Sequence, residues 1–201
     1  MPRSTRGETA RPTSPGGSER VLRADAKLNQ DRVLEAAAAA FARPGAETSM
    51  KAIARDAGVG IATLYRRFPA REDLIEAVYR NETARLGRSA ATLLRKHPPP
   101  QALRTWLSKF LDYLLTKEGM AEALPAILAA RDGLRMHSRG VLRAAIDEIL
   151  RAGIADGSLR ADVSADDVMM AAGGIGLIAA HEQQRALAAR LADLLMDSLT
   201  R

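Results

Sequence analysis

Residues 57–74, AGVGIATLYRRFPAREDL, gather Thr63, Tyr65, Arg66, Arg67 and Arg71 into one short stretch. A guanidinium group is a planar fork of donors that fits a phosphate or the edge of a guanine. Threonine or alanine methyls can meet a thymine methyl. That is the chemistry of recognising an anionic polymer. The residue types that make and break bonds are scattered by comparison. His97, His137 and His181 lie far apart, with no HxxxH or HxxE spacing for a metal. No phosphate loop or nucleophile elbow is present. Gly173-Gly174-Ile175-Gly176 lies inside an apolar helical run with no preceding strand, so it reads as close helix packing. The chain is expected to be no enzyme, with no cofactor and no metal site.

Such side chains need elements to aim them, and the spacing is helical throughout. Leu28, Val33, Leu34, Ala37, Ala40 and Phe41 keep an apolar face at three-to-four spacing, which Pro44-Gly45 ends. Ser49 is a good N-cap for a second short helix, which presents Met50, Ile53, Ala54 and Ala57 before Gly58 stops it. A third short helix covers 61–67. Leu64 and Phe68 share one face of it, while Ala62 and Arg66 point roughly the other way. Gly58 supplies the left-handed backbone of a tight turn between the two helices, which makes a helix-turn-helix. Pro69 ends the third helix by restricting Phe68. A short helix with small and cationic residues outward suits the major groove of DNA.

Beyond it, Glu72 to Leu94 forms a long amphipathic helix closed by His97-Pro98-Pro99-Pro100, which reads as a domain boundary. Further helices are expected near 101–116, 119–131 with Pro125 as a start or kink, 138–156, 165–181 and 183–199. No strand-length alternation interrupts them, so the fold class is all-α.

Composition sets the outer limits. At 201 residues and 47% hydrophobic content a core is readily built, and the absence of cysteine rules out disulfides and thiolate metal sites. The net charge is +6, and residues 1–80 carry more of the excess than the remainder. Residues 1–20 are rich in Pro, Gly, Ser and Thr with scattered arginines, the composition of a disordered basic arm. They lack the apolar stretch of a signal peptide. The longest apolar run, Val168 to Ala180, is too short to span a bilayer. A cytoplasmic protein with no membrane partner is the expectation.

SMKAIARDAGVGIATLYRRF and the following PAREDLIEAV resemble the tetracycline-repressor (TetR) family of bacterial transcription regulators. They match an Ile-Ala pair, Ala-Gly-Val, Thr-Leu-Tyr, then Phe and a basic-acidic-x-Leu helix start. Fainter echoes are Phe41 and Gly45, and Gly157-Ser-Leu-Arg-Ala-Asp before the last two helices. Gly60 and Ala70 stand where the family has Ser-like caps. The resemblance implies an N-terminal three-helix DNA-binding domain over 21–80, extending into a linking helix at 71–95. A helical effector-binding and dimerisation domain would cover 81–201.

The resemblance also assigns roles by residue. Ser49 and Lys51 would meet the DNA backbone at the start of the second helix, with Lys51 able to reach a base. Ala62, Thr63 and Arg66 would read bases. Tyr65, Arg67 and Arg71 would clamp phosphates, and Arg20, Arg23 and Lys27 could add contacts from the arm. Residues 165–199 would form a four-helix bundle with a second copy. Middle helices would enclose an inducer pocket, with Trp106, Phe110, Tyr113, Met120, Leu128, Met136, His137 and Met170 as candidates, each of which also reads as plain core. With 3% aromatics, an adaptable Met and Leu cavity is expected over a stacked aromatic cage. The function implied is a homodimeric repressor that binds a pseudo-palindromic DNA operator and is released by a small apolar inducer. An alternative is a DNA-binding helical protein whose C-terminal domain recruits a protein partner without small-molecule control. An apolar cavity within residues 101–181 would separate the two.

Overall fold

The computed structural model describes residues 16–43, 48–181 and 185–201. Among them, nine helices and one isolated antiparallel bridge, Leu159 with Thr200, account for the regular structure. None of these helices is long and apolar enough to cross a membrane. Of the arm expected over residues 1–20, residues 1–15 lie outside the described residues. Residues 16–20 are instead the first turn of α1, Gly16–Phe41. The apolar face of α1 is also shorter than its spacing suggests. Leu28 is 60% exposed, and among the described side chains burial starts at Val33 and runs through Leu34, Ala37, Ala40 and Phe41.

Helices α2 (Met50–Asp56) and α3 (Ile61–Arg67) form the expected helix-turn-helix. The Ser49 hydroxyl accepts from the Ala52 N–H at 3.2 Å, satisfying one of the orphan donors of α2. Gly58 sits at φ +66°, where a side chain would be strained. Leu64 and Phe68 seat α3 in the core, at 1% and 5% exposure.

Helix α4 (Arg71–Leu94) is the spine. Ala70 gives it no side-chain cap, yet Asp73 reaches back to accept from the Ala70 N–H at 2.9 Å, so half of a capping box survives. Buried residues recur along it from Leu74, Ile75 and Val78 to Leu86, Ala90 and Leu93. Each fully buried aliphatic side chain there stabilises the fold by roughly 1.5–3 kcal/mol. It packs on α1 and on α5 (Pro99–Glu118), α6 (Leu124–Ala130) and α7 (Leu134–Ala155).

The proline run makes a corner between packed helices. Pro98 caps α5, and Pro99 and Pro100 fill its first turn, where a missing N–H costs nothing. Trp106 on α5 is fully buried and donates its indole N–H to the Leu86 carbonyl of α4 at 3.1 Å. Pro125 lies in the first turn of α6, so it starts that helix and does not kink it. Helices α8 (Ala165–His181) and α9 (Arg185–Leu199) complete the bundle, packing on each other and on α5.

The head and the bundle also touch directly. A Cβ added at Gly119, just past α5, would run into the backbone of Phe41 at the end of α1. The small-residue run in α8 behaves unevenly. Gly176 lets Leu114 of α5 approach, whereas nothing lies within 4 Å of a Cβ at Gly173 or Gly174. Close packing thus accounts for one of those three glycines.

Candidate nucleic-acid interface and interior cavity

The exposed face of α3 carries Ile61, Ala62, Thr63, Tyr65, Arg66 and Arg67. Burial of Leu64 and Phe68 on the opposite face is what turns these residues outward. The Arg66 guanidinium donates to the Thr63 hydroxyl at 3.0 Å, one turn back toward the start of the helix. Arg67 donates to the Gln30 side chain of α1 at 2.9 Å, which ties the two helices together. Lys51 is exposed at the start of α2, with no partner among the described residues. Ser49 is half-buried; its hydroxyl oxygen caps α2 while its proton is still free to donate. Tyr65 is 48% exposed and Ile61 40%, so neither is held in the core. Lys27 is exposed too, while the side chains of Arg20 and Arg23 lie outside the described residues.

Arg71 departs from the expected phosphate clamp. Its guanidinium donates to the Thr48 carbonyl and, at 2.7 Å, to the Thr48 hydroxyl, and it stacks 5.5 Å from the Phe41 ring centroid. Half-buried and held by these three contacts, it braces the chain entering α2 against α1 and α4. Spacing along the sequence carries no signal for this, because Thr48 and Arg71 meet only in the folded head.

A second site lies in the bundle. A cavity of about 520 Å³ opens between α4, α5, α6, α7 and α8, within the size range of small-molecule sites. Of the eight residues anticipated, Phe110, Tyr113, Leu128 and Met170 line it. The other four do not. Trp106 and Met120 are buried core, and Met136 and His137 face solvent outside the cavity. Lining residues that sequence reasoning missed include Tyr79, Leu142 and Met169 in its depth and Lys117, Arg135 and Arg139 at its rim. The spacing of Arg135, Arg139 and Leu142 at i, i+4 and i+7 places them on one face of α7 and was the available signal.

The scarce aromatics are concentrated here, where an adaptable Met and Leu lining is expected over a stacked aromatic cage. Trp106 stacks on Phe110 at 5.4 Å, Phe110 on Tyr113 at 6.0 Å, and Tyr113 lies 6.3 Å from Tyr79. Burial, then the neighbouring Tyr79, push the Tyr113 phenol well above its ordinary range, outweighing a 3.3 Å hydrogen bond with Thr83. The Tyr113 hydroxyl is therefore neutral at any physiological pH.

The cavity is joined to α4 by charge as well as by packing. Arg131, which caps α6, donates to Glu76 of α4 at 2.9 Å, and Arg80 donates to the same carboxylate at 2.9 Å. Burial alone would raise the Glu76 pKa, but the hydrogen bonds from Arg80 and Arg131 outweigh it and hold the carboxyl below its usual range.

Known proteins share these features. A family model described as bacterial regulatory proteins of the tetR family matches residues 33–78. Another, described as the C-terminal domain of SbtR-like transcriptional regulators, matches residues 98–201. A TetR transcriptional regulator from Streptomyces coelicolor is 44% identical, with 85% of this chain and 98% of that one covered and a TM-score of 0.78. A TetR regulatory protein from Mycobacterium vanbaalenii is 30% identical over 90% of this chain and 99% of that one, with a TM-score of 0.71. An HTH-type transcriptional regulator of Mycobacterium tuberculosis is 48% identical over 63 residues, and that match spans only 31% of either chain.

The brace and the clamp make opposite predictions for Arg71→Ala. Losing a charge-assisted bond and a ring contact is expected to destabilise the fold by roughly 1–3 kcal/mol in urea denaturation. The salt slope of DNA binding should stay unchanged, where a lost phosphate contact would flatten it by about one. A flattened slope with unchanged stability would restore the clamp.

Proposed function

Because the chain belongs to the TetR family of bacterial regulators, and so is a DNA-binding transcriptional regulator, we propose that it is a homodimeric repressor controlled by a small molecule. The observation that carries the ligand response is the cavity and its link to α4. Leu124, Pro125 and Leu128 of α6 line the cavity, while Arg131 at the end of the same short helix holds Glu76. Helix α4 in turn begins four residues after the recognition helix α3 ends. A ligand that displaces α6 therefore acts on the helix that sets the recognition helix. A cavity of this size also favours small-molecule control over partner recruitment.

In this reading Ala62, Thr63 and Arg66 read bases, with the Thr63 hydroxyl holding Arg66 forward, while Tyr65, Arg67, Lys51 and Ser49 meet phosphates. Arg67 must exchange or share its Gln30 bond to do so. The head spans 21–80, running on into α4, and the effector and dimerisation region spans 81–201.

The dimer rests on an exposed apolar stripe. Met170, Leu177 and Ile178 are 61%, 69% and 48% exposed on α8, and Leu194 of α9 is 65% exposed. Gly174 lies among the α8 residues on the same helical face. Such a patch on a surface helix fits a self-complementary contact with a second copy. Two recognition helices would then read a pseudo-palindrome with half-sites about one DNA turn, roughly 34 Å, or a multiple apart.

Three outcomes follow. On an operator selected from random duplex DNA, Arg66→Ala should cost roughly 1–3 kcal/mol and relax preference at one base position; unchanged affinity and preference in competition binding would remove Arg66 as a reader. Gly174→Leu should leave folding intact or improve it, since the site is open and leucine favours helix by about 1 kcal/mol over glycine. Sedimentation should nonetheless show more monomer, and an undisturbed dimer would move the interface elsewhere. Finally, a compound seated in the cavity must weaken operator binding, and operator must weaken that compound by the same factor. A tenfold effect needs roughly 1.4 kcal/mol of differential affinity. Calorimetric titrations with and without operator read both halves, and a cavity ligand that leaves operator affinity unchanged argues for the recruitment alternative.

A further inference from the structure

The rim and the floor of the cavity differ in chemistry. Phe110, Leu142 and Met169 are buried in its depth, whereas Lys117, Arg135 and Arg139 are exposed at its edge. Glu118 is the one carboxylate among the lining residues, set against those three cations. Arg135 and Lys117 have no acidic partner among the described residues. Arg139 has a loose one, Asp166 at 3.6 Å, which Arg143 shares at 3.8 Å. Arg135 also lies in the first turn of α7, which has neither a side-chain cap nor an acidic residue there, so the helix dipole adds to its charge.

Resting on the reading of this cavity as the effector site, we infer that its ligand is an amphiphilic anion. Its apolar body packs on Phe110, Leu142 and Met169, and its single carboxylate or phosphate head is held by Arg135 and Arg139. The two arginines stand one turn apart on the face of α7 that continues into Leu142, so the head and body of one molecule meet them in sequence. Guanidinium forks suit a planar carboxylate or a phosphate oxygen pair, and the apolar wall beneath them strengthens the charge-assisted bonds. Met169 adapts to chain shape, so the head carries the selectivity. A neutral apolar molecule would leave those two cations at the cavity mouth unused. A cationic one would be repelled.

The test uses the full-length protein and four probes sharing one tail: decanoate, decyl phosphate, decan-1-ol and decyltrimethylammonium. Calorimetry should show at least one anion binding about tenfold tighter than the alcohol, with the ammonium weakest. Which anion leads separates a carboxylate from a phosphate ligand. Arg135→Gln with Arg139→Gln should bring anion and alcohol within about twofold of each other while leaving alcohol binding unchanged. Arg143→Gln touches the same Asp166 from outside the cavity and should keep the anion preference, which separates head-group binding from disturbance of the α7 and α8 packing. The inference is overturned if the alcohol or the ammonium binds as well as both anions, or if the double variant keeps the preference. Should the alcohol bind without disadvantage and still weaken the selected operator, the effector reading stands and only the anionic ligand fails. Binding by none of the four removes both.

Discussion

One helix belongs to two structures at once. Its buried residues run from Leu74 to Leu93, so α4 forms a wall of the helix-turn-helix head and a wall of the bundle cavity without a break. At 24 residues it is about 36 Å long, and a rod of that length transmits tilt and does not absorb it. A tilt of about 5° about one end moves the other by roughly 3 Å, comparable with a hydrogen-bond length. Its neighbours α1, α5, α6 and α7 restrain that rod. Trp106 holds it by the Leu86 carbonyl, Arg131 by Glu76, and Arg71 fixes its first turn to the chain entering α2. The spine has no loop, glycine hinge or proline kink along its length other than Gly87, which lies under Val141 of α7.

The head was legible because its signals are local. Ser49 caps the helix it precedes, Gly58 takes the positive φ that its turn requires, and Leu64 and Phe68 fall on the buried face that their spacing defines. Each of these depends on residues within a few positions. The same locality explains where the fold departs from what spacing suggests. Leu28 continues the period of α1 but projects beyond the head, and periodicity alone cannot say where a partner surface stops. Arg71 sits in a pattern of exposed cations, yet Thr48 and Phe41, distant in sequence, take it up. For the first residues of α1, a composition that reads as disordered gave no warning that Gly16 begins a helix.

The cavity was half legible for a related reason. Helical spacing identifies which side of a helix is apolar but not whether the space between two apolar sides is filled. Trp106 and Phe110 lie one turn apart on the same face of α5, and both are candidate lining residues. Trp106 is sealed against α4, while Phe110 meets the void. Met136 has the type of a lining residue, yet its position on α7 turns it to water, while the polar neighbours Arg135 and Arg139 face the opening. Residue type was a poor guide there; position around the α7 axis was the better one.

Asp166 sits between Arg139 and Arg143 at distances too long for strong bonds to either, 3.6 Å and 3.8 Å. A carboxylate with two cationic neighbours can lose one of them without becoming an isolated charge. If an incoming anion drew Arg139 away, Asp166 would settle on Arg143, and the exchange would conserve the number of ion pairs at the surface. Both pairs are about half exposed, so water already keeps the cost of stranding a charge low, and a second arginine lowers it further. Here a spare counterion stands ready on the next turn of the same helix, so α7 and α8 stay tethered while one arginine changes allegiance.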